Sequence, residues 1–211
     1  MPDSNRSARI VALVVAFAMA LIVAGCGKPR VAALPAGITV LALGDSLTYG
    51  TGASPETSYP AFLATTAKWN VVNGGIPGDT AQQGCERLPP LLAEHQPALV
   101  LVFLGGNDFL RRRPVSLLTE GLARCVRDAA AARIPVVILA VPTLGFAGLA
   151  DAPVFEDFAK EAKVAWISPG LGKLLRDDAL RADAIHLNAE GYRALAANVA
   201  NELRRLGYLA P

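Results

Sequence analysis

The sequence predicts an α/β domain whose parallel sheet is covered by helices on both faces. Three runs carry this prediction: Ile38–Leu43 (ITVLAL), Ala98–Leu104 (ALVLVFL) and Pro135–Val141 (PVVILAV). They are continuously apolar rather than alternating, as strands buried on both faces are. Segments of helical period follow them, the repeating order that builds a parallel sheet. No internal repeat and no second domain boundary interrupts the order. The 211 residues are 53% hydrophobic and 18% charged, with a mean hydropathy of +0.38. Disordered, collagen-like and disulfide-scaffold classes are thereby excluded. A formal net charge of +2 points to no polyanion, so no nucleic-acid partner is expected. With two histidines and three cysteines, neither a metal site nor a cofactor is expected.

The chain starts with a leader. Arg6 and Arg9 precede the uncharged stretch Ile10–Val23, which matches a secretory signal with an apolar core of roughly 7–15 residues. A spanning helix needs about 20, and Gly25, Lys28, Pro29 and Arg30 close the stretch too soon. Val23-Ala24-Gly25-Cys26 resembles the lipobox of bacterial lipoproteins. That resemblance implies a signal peptide over residues 1–25 and acylation of Cys26 as the new N-terminus. The chain would then be exported and lipid-anchored to the cell envelope, on the periplasmic side of the outer membrane. The alternative is an ordinary signal peptide that contains a cysteine. Residues 26–37, rich in Pro and Gly, read as a tether whose last eleven residues reach at most roughly 36–40 Å. The domain is expected over residues 38–211.

Within the domain, Ile38–Leu43 is the first strand, Tyr59–Lys68 a helix, and Val71-Val72 the start of a short strand. Asp79–Glu94 reads as a helix capped by Asp79 or Thr80 and disturbed in its middle by Pro89-Pro90. Ala98–Leu104 is the strongest strand. Leu118, Leu122, Cys125, Val126 and Ala129 then mark one helix face. Pro135–Val141 is a strand, Phe155–Ala162 a helix and Val164–Ile167 the last strand. Asn188 caps a long helix with Leu195, Val199, Leu203 and Leu206 on its inner stripe. The segment after Pro142 (TLGFAGLADAPVF) shows neither period and reads as a loop placed to line an acyl groove.

Sites in such folds lie beyond the carboxyl ends of the strands. The residues found there are GDSLTYG, NGGIPGDT, GGND and, further on, DAIH. A histidine base is either His95, at a helix end, or His186, three residues after Asp183. The second spacing lets a carboxylate hold one ring nitrogen while the other faces a cleft. Ser46 follows a strand directly, where a nucleophile or a helix cap would stand. Gly74, Gly75 and Gly78 permit tight turns or close backbone approach. Asn107 offers an amide donor to an oxyanion. Arg111-Arg112-Arg113 reads as a solvated loop, and Trp69 and Trp166 as core or edge residues.

These four segments resemble the blocks of the GDSL, or SGNH, hydrolases, in order and across the chain from Ile38 onward. The likeness is to bacterial arylesterases, lysophospholipases and acyl-thioesterases. It implies a three-layer α/β/α, flavodoxin-like doubly wound sheet of about five parallel strands. It also implies hydrolysis of acyl esters or thioesters, with a small-molecule or lipid ester as substrate. Ser46 would be the nucleophile, His186 the base and Asp183 its orienter; Ser46, Gly78 and Asn107 would form the oxyanion hole. Asp45 and Asp108 would support their loops. Leu187 stands where a Pro is often found after the histidine, and Phe109 where a Gly is frequent. Carbohydrate O-deacetylation and a non-catalytic envelope protein are the alternative functions. In the implied topology Cys85 and Cys125 lie on helices of one face. Two buried free thiols are the preferred expectation there, and a disulfide the alternative.

Overall fold

The structure, a computed structural model, describes residues 32–145 and 148–211. The expected leader, Cys26 and the first half of the expected tether therefore lie outside the described residues. Among the described residues, seven strands form two sheets. The main sheet holds β1 (Thr39–Gly44), β2 (Asn70–Gly75), β3 (Leu99–Phe103), β4 (Val136–Leu139) and β7 (Ala165–Ile167). Its order is β2-β1-β3-β4-β7, all parallel, with Val40 opposite both Val71 and Leu99 and Val137 opposite Leu101 and Ala165. The apolar runs earn this placement: every residue of β3 and β4 is buried. The chain moves outward from β1 in both directions. A crevice therefore opens at the carboxyl ends of β1 and β3, where the winding reverses.

Nine helices are assigned among the described residues: α1 (Ser46–Tyr49), α2 (Tyr59–Ala67), α3 (Ala81–Glu86), α4 (Leu88–His95), α5 (Gly106–Leu110), α6 (Val115–Ala131), α7 (Pro153–Ala162), α8 (Leu171–Leu174) and α9 (Ala189–Leu206). α9 packs on α2 to cover one face, while α3, α4 and α7 pack against α6 on the other. Asn188 caps α9 as predicted, its Oδ1 accepting the Gly191 N–H at 3.0 Å. Leu195, Val199 and Leu203 are buried; Leu206 is only half-buried. None of the described helices is long and apolar enough to cross a membrane.

Three local expectations change, and one left open is decided. The single helix over Asp79–Glu94 is two helices broken at Arg87, with the prolines in the first turn of the second. A proline there lacks only an N–H that a helix start leaves unpaired, so it begins α4 instead of disturbing it. Thr80 rather than Asp79 caps α3, in a reciprocal pair with Gln83. The segment after Pro142 is not a loop but an antiparallel pair, β5 (Pro142–Gly145) with β6 (Gly148–Asp151). Each strand has four residues, too few to display an alternation, so the pairing rather than the pattern makes it a hairpin. Finally, Cys85 of α3 and Cys125 of α6 are joined in a disulfide, with Cα atoms 5.0 Å apart. The bridge spans 40 residues, which in the chain-entropy account stabilises the fold by about 4 kcal/mol.

Candidate active site

β1 ends in Gly44, and the chain turns at once into α1. Asp45 is the cap of that helix, its Oδ1 accepting the Leu47 N–H at 3.0 Å, and Ser46 is its first residue. The turn depends on what lies beneath it. A Cβ on Gly75, at the end of β2, would stand 2.2 Å from the Tyr49 nitrogen and 2.7 Å from the Thr48 carbonyl carbon. A glycine is therefore required where β2 passes under the serine helix.

Across the crevice, Asp183 and His186 form a tight turn. Asp183 Oδ1 accepts the N–H groups of Ile185 (2.8 Å) and His186 (2.9 Å), and its Oδ2 is 2.7 Å from His186 Nδ1. The other ring nitrogen, Nε2, is 3.0 Å from Ser46 Oγ, although the two residues are 140 apart in sequence. The hydrogen bond from His186, followed by those from the backbone, holds the Asp183 carboxyl below its ordinary range. Only one tautomer satisfies this line: Nδ1–H donates to Asp183, and Nε2 accepts from the serine hydroxyl. The turn is braced by Tyr192, whose hydroxyl donates to Thr51 O at 2.7 Å, and by the Leu187 carbonyl lying against Gly52.

Gly78 lies beyond the end of β2, and Asn107, beyond the end of β3, lines the same cleft as Ser46. Gly78 has φ +88°, and neither its N–H nor that of Ser46 donates to another described residue. Asn107 Nδ2 donates to Asp79 O at 3.0 Å and, at a longer 3.3 Å, to Asp45 Oδ2. Asp108 turns away to accept the Ala81 N–H at 2.8 Å, so both motif aspartates support loops. Asp45 is almost wholly buried, and that desolvation raises its carboxyl to about 6.

Two functional arginines were not legible beforehand. Arg87 binds Asp79 Oδ2 through Nη2 (2.7 Å) and Nε (2.9 Å), and reaches Gly74 O (3.1 Å) and Gly44 O (3.3 Å). It ties the ends of β1 and β2 to the Gly78 loop, a role that no local spacing signals. Arg111 and Arg112 are exposed, as expected of a solvated loop, and Arg113 is half-buried, but two of the three make side-chain bonds. Arg111 Nη2 donates to Gly78 O at 2.7 Å, and Arg113 Nη2 reaches Gln82 Oε1 at 3.3 Å. Such bonds form because α5 sets this turn beside the end of β2. His95 lies at the end of α4, away from the site, beside Glu94. Trp69 is core and Trp166 lies half-buried on β7.

Beside Ser46 and His186 opens a cleft of about 260 Å³. Its walls are mainly apolar, with Phe109, Leu110, Val141, Leu149, Leu171 and Ile185 among them. Phe109, at the position where the resemblance leads one to look for glycine, stacks edge-on against Phe155 at 6.2 Å and narrows this wall. No cluster of three potential metal ligands occurs among the described residues.

The model of the GDSL-like lipase/acylhydrolase family matches residues 42–194. The chain is 34% identical over 175 residues to the thioesterase 1/protease 1/lysophospholipase L1 of Escherichia coli, covering 80% of this chain and 84% of that protein. It is 32% identical over 182 residues to esterase TesA of Pseudomonas aeruginosa, covering 80% and 89%. A crystal structure of TesA has a TM-score of 0.70 with it at 30% identity, over 80% of this chain and 99% of that one. The chain belongs to the GDSL-like lipase/acylhydrolase family, hydrolases that act on ester bonds.

Proposed function

We propose that this member of the GDSL-like lipase/acylhydrolase family is a serine esterase for acyl esters or thioesters carrying one short-to-medium chain. The carrying observation is the hydrogen-bonded line Asp183–His186–Ser46 ending at the mouth of an apolar cleft. Ser46 Oγ attacks the acyl carbonyl carbon and passes its proton to His186 Nε2. Asp183 stabilises the imidazolium that results. The carbonyl oxygen, now negative, is met by the free N–H groups of Ser46 and Gly78 and by the Asn107 amide. Asn107 remains oriented by its bond to Asp79 O, and the longer bond to Asp45 is the one that yields to the oxyanion. Collapse of the intermediate expels the alcohol or thiol, which takes the proton from His186. Water then repeats the sequence on the acyl-Ser46 ester and releases the acid.

The cleft favours a chain over a sugar. Each methylene buried along it contributes about 0.8 kcal/mol, and its volume is at the small end for a ligand site. The names of the Escherichia coli relative, thioesterase and lysophospholipase, agree with single-chain acyl substrates. Ser46→Ala should abolish hydrolysis of p-nitrophenyl esters without unfolding the protein, and an organophosphonate should label Ser46. For the wild type, kcat/KM should rise from acetyl through butyryl to octanoyl. An acetyl optimum, with acetate released from acetylated glycans, would make the protein a deacetylase. An inert wild-type protein would make it a binding protein. Envelope anchoring through Cys26 rests on the sequence of residues 1–26. A clickable fatty acid should label the wild type but not Cys26→Ser; an unlabelled wild type means an ordinary signal peptide.

A further inference from the structure

The Pro77–Gly78 peptide that presents the Gly78 N–H is the middle of a turn closed by the Asp79 N–H on Ile76 O at 3.2 Å, and beyond that turn little touches Gly78 itself. A Cβ built on Gly78 would meet nothing within 4 Å except Arg111 Nη2, at 3.4 Å. Ile76 and Pro77 before it are exposed. Glycine populates positive and negative φ about equally, so side-chain sterics do not lock the +88° conformation seen here. On the inner side, the following residue is secured: Asp79 O accepts from Asn107, and the Asp79 carboxylate binds Arg87. On the outer side, the only hydrogen bond that Gly78 makes to any described residue is from Arg111 Nη2 to its carbonyl, at 2.7 Å.

Arg111 is exposed, but its backbone is anchored. Its N–H donates to Asn107 O at 3.1 Å, so it caps the short helix α5 that carries Asn107. One element thus bears the side-chain donor of the oxyanion site and the arm that grips the backbone donor. We propose that Arg111 is a positioning residue for the oxyanion hole. By holding the Gly78 carbonyl it sets the orientation of that residue, and so aims the Gly78 N–H at the substrate's carbonyl oxygen. The inference rests on the esterase reading and adds to it a residue outside the triad and the three donors.

Because an oxyanion donor matters most in the transition state, loss of the grip should appear in kcat and leave KM nearly alone. Four proteins separate the roles: wild type, Arg111→Met, Arg111→Lys and Arg112→Met. Arg112 adjoins Arg111, is exposed, and makes no side-chain bond to a described residue, so its replacement removes an equal charge without the grip. With p-nitrophenyl butyrate, Arg111→Met should lower kcat about tenfold with KM within about twofold. An octyl trifluoromethyl ketone, whose hemiketal with Ser46 carries an oxyanion, should bind about tenfold more weakly to it, while the octyl methyl ketone binds unchanged. Arg111→Lys, which keeps the charge and a donor, should recover part of kcat, and Arg112→Met should match the wild type. An Arg111→Met protein with wild-type kcat, or one altered in KM alone, would overturn the inference. So would an equal loss in Arg112→Met. A wild-type protein that hydrolyses no ester would overturn the esterase reading and this inference together, whereas an active one with an unaffected Arg111→Met overturns this inference only.

Discussion

The two walls of the cleft are built on different principles. The wall at the ends of β1, β2 and β3 holds Ser46, Gly78 and Asn107, and it is bound together many times over. Arg87 joins two strand ends, Asp108 accepts from α3, and a disulfide links α3 to α6. The opposite wall is formed by the β5–β6 hairpin. It hangs on fewer ties: Arg176 Nη1 donating to Leu149 O at 2.7 Å, and Ala152 N–H to Val141 O at 3.1 Å. Groups that handle charge must stay within a fraction of an ångström of their task, whereas a wall that accepts a chain needs only shape. On the esterase reading proposed above, the rigid wall carries the oxyanion site and the lighter hairpin sets which chain enters.

The largest test of this division is Asn107→Ala. On the rigid wall, removal of an oxyanion donor should lower kcat by about 10²–10³ with little change in KM. A change confined to KM would move Asn107 to the recognition side and break the comparison.

Asp45 of the rigid wall and Asp183 beside His186 are perturbed in opposite directions, which pH can read. Burial lifts Asp45 from 3.8 to about 6, whereas the bond from His186 lowers the exposed Asp183. The stability contributed by Asp183 is present above its ordinary range and lost as pH falls through its lowered value. For Asp45 the sign reverses: its contribution is complete below about 4 and is lost as pH rises through about 6. The loss amounts to about 3 kcal/mol. Asp45→Asn, which keeps an acceptor for Leu47, should thus gain up to about 3 kcal/mol over the wild type at pH 8 and nothing near pH 4. Urea midpoints at pH 4, 6 and 8 measure this. A difference that does not change with pH would mean that the rigid wall does not desolvate Asp45.

The smallest effect belongs to the lighter wall. Leu149→Ala should lower kcat/KM for octanoyl esters about tenfold while leaving acetyl esters unchanged, as losing the three outer leucine carbons uncovers about two methylenes of the bound chain at about 0.8 kcal/mol each. Equal losses for both esters would mean that the hairpin supports the chemistry as well.

Much of this molecule is written locally. Ile38–Leu43, Ala98–Leu104 and Pro135–Val141 announce strands buried on both faces by their continuous apolar character, which needs no knowledge of the partner strand. Ser46 and Asn107 stand directly beyond two such strands, Gly78 stands beyond the partly exposed β2, and Asp183 lies within one turn of His186. Each was therefore legible as chemistry placed at the end of a sheet. What was hidden depends on which segments meet. Arg111 meets Gly78 across 33 residues, Arg87 meets Gly44 across 43, and Cys85 meets Cys125 across 40. The four-residue strands of the hairpin exist only because they pair. Periodicity records that a side chain is buried, but not against what. Strand order and the direction of each crossover decide that, by choosing which helices share a face and which strand ends share the crevice.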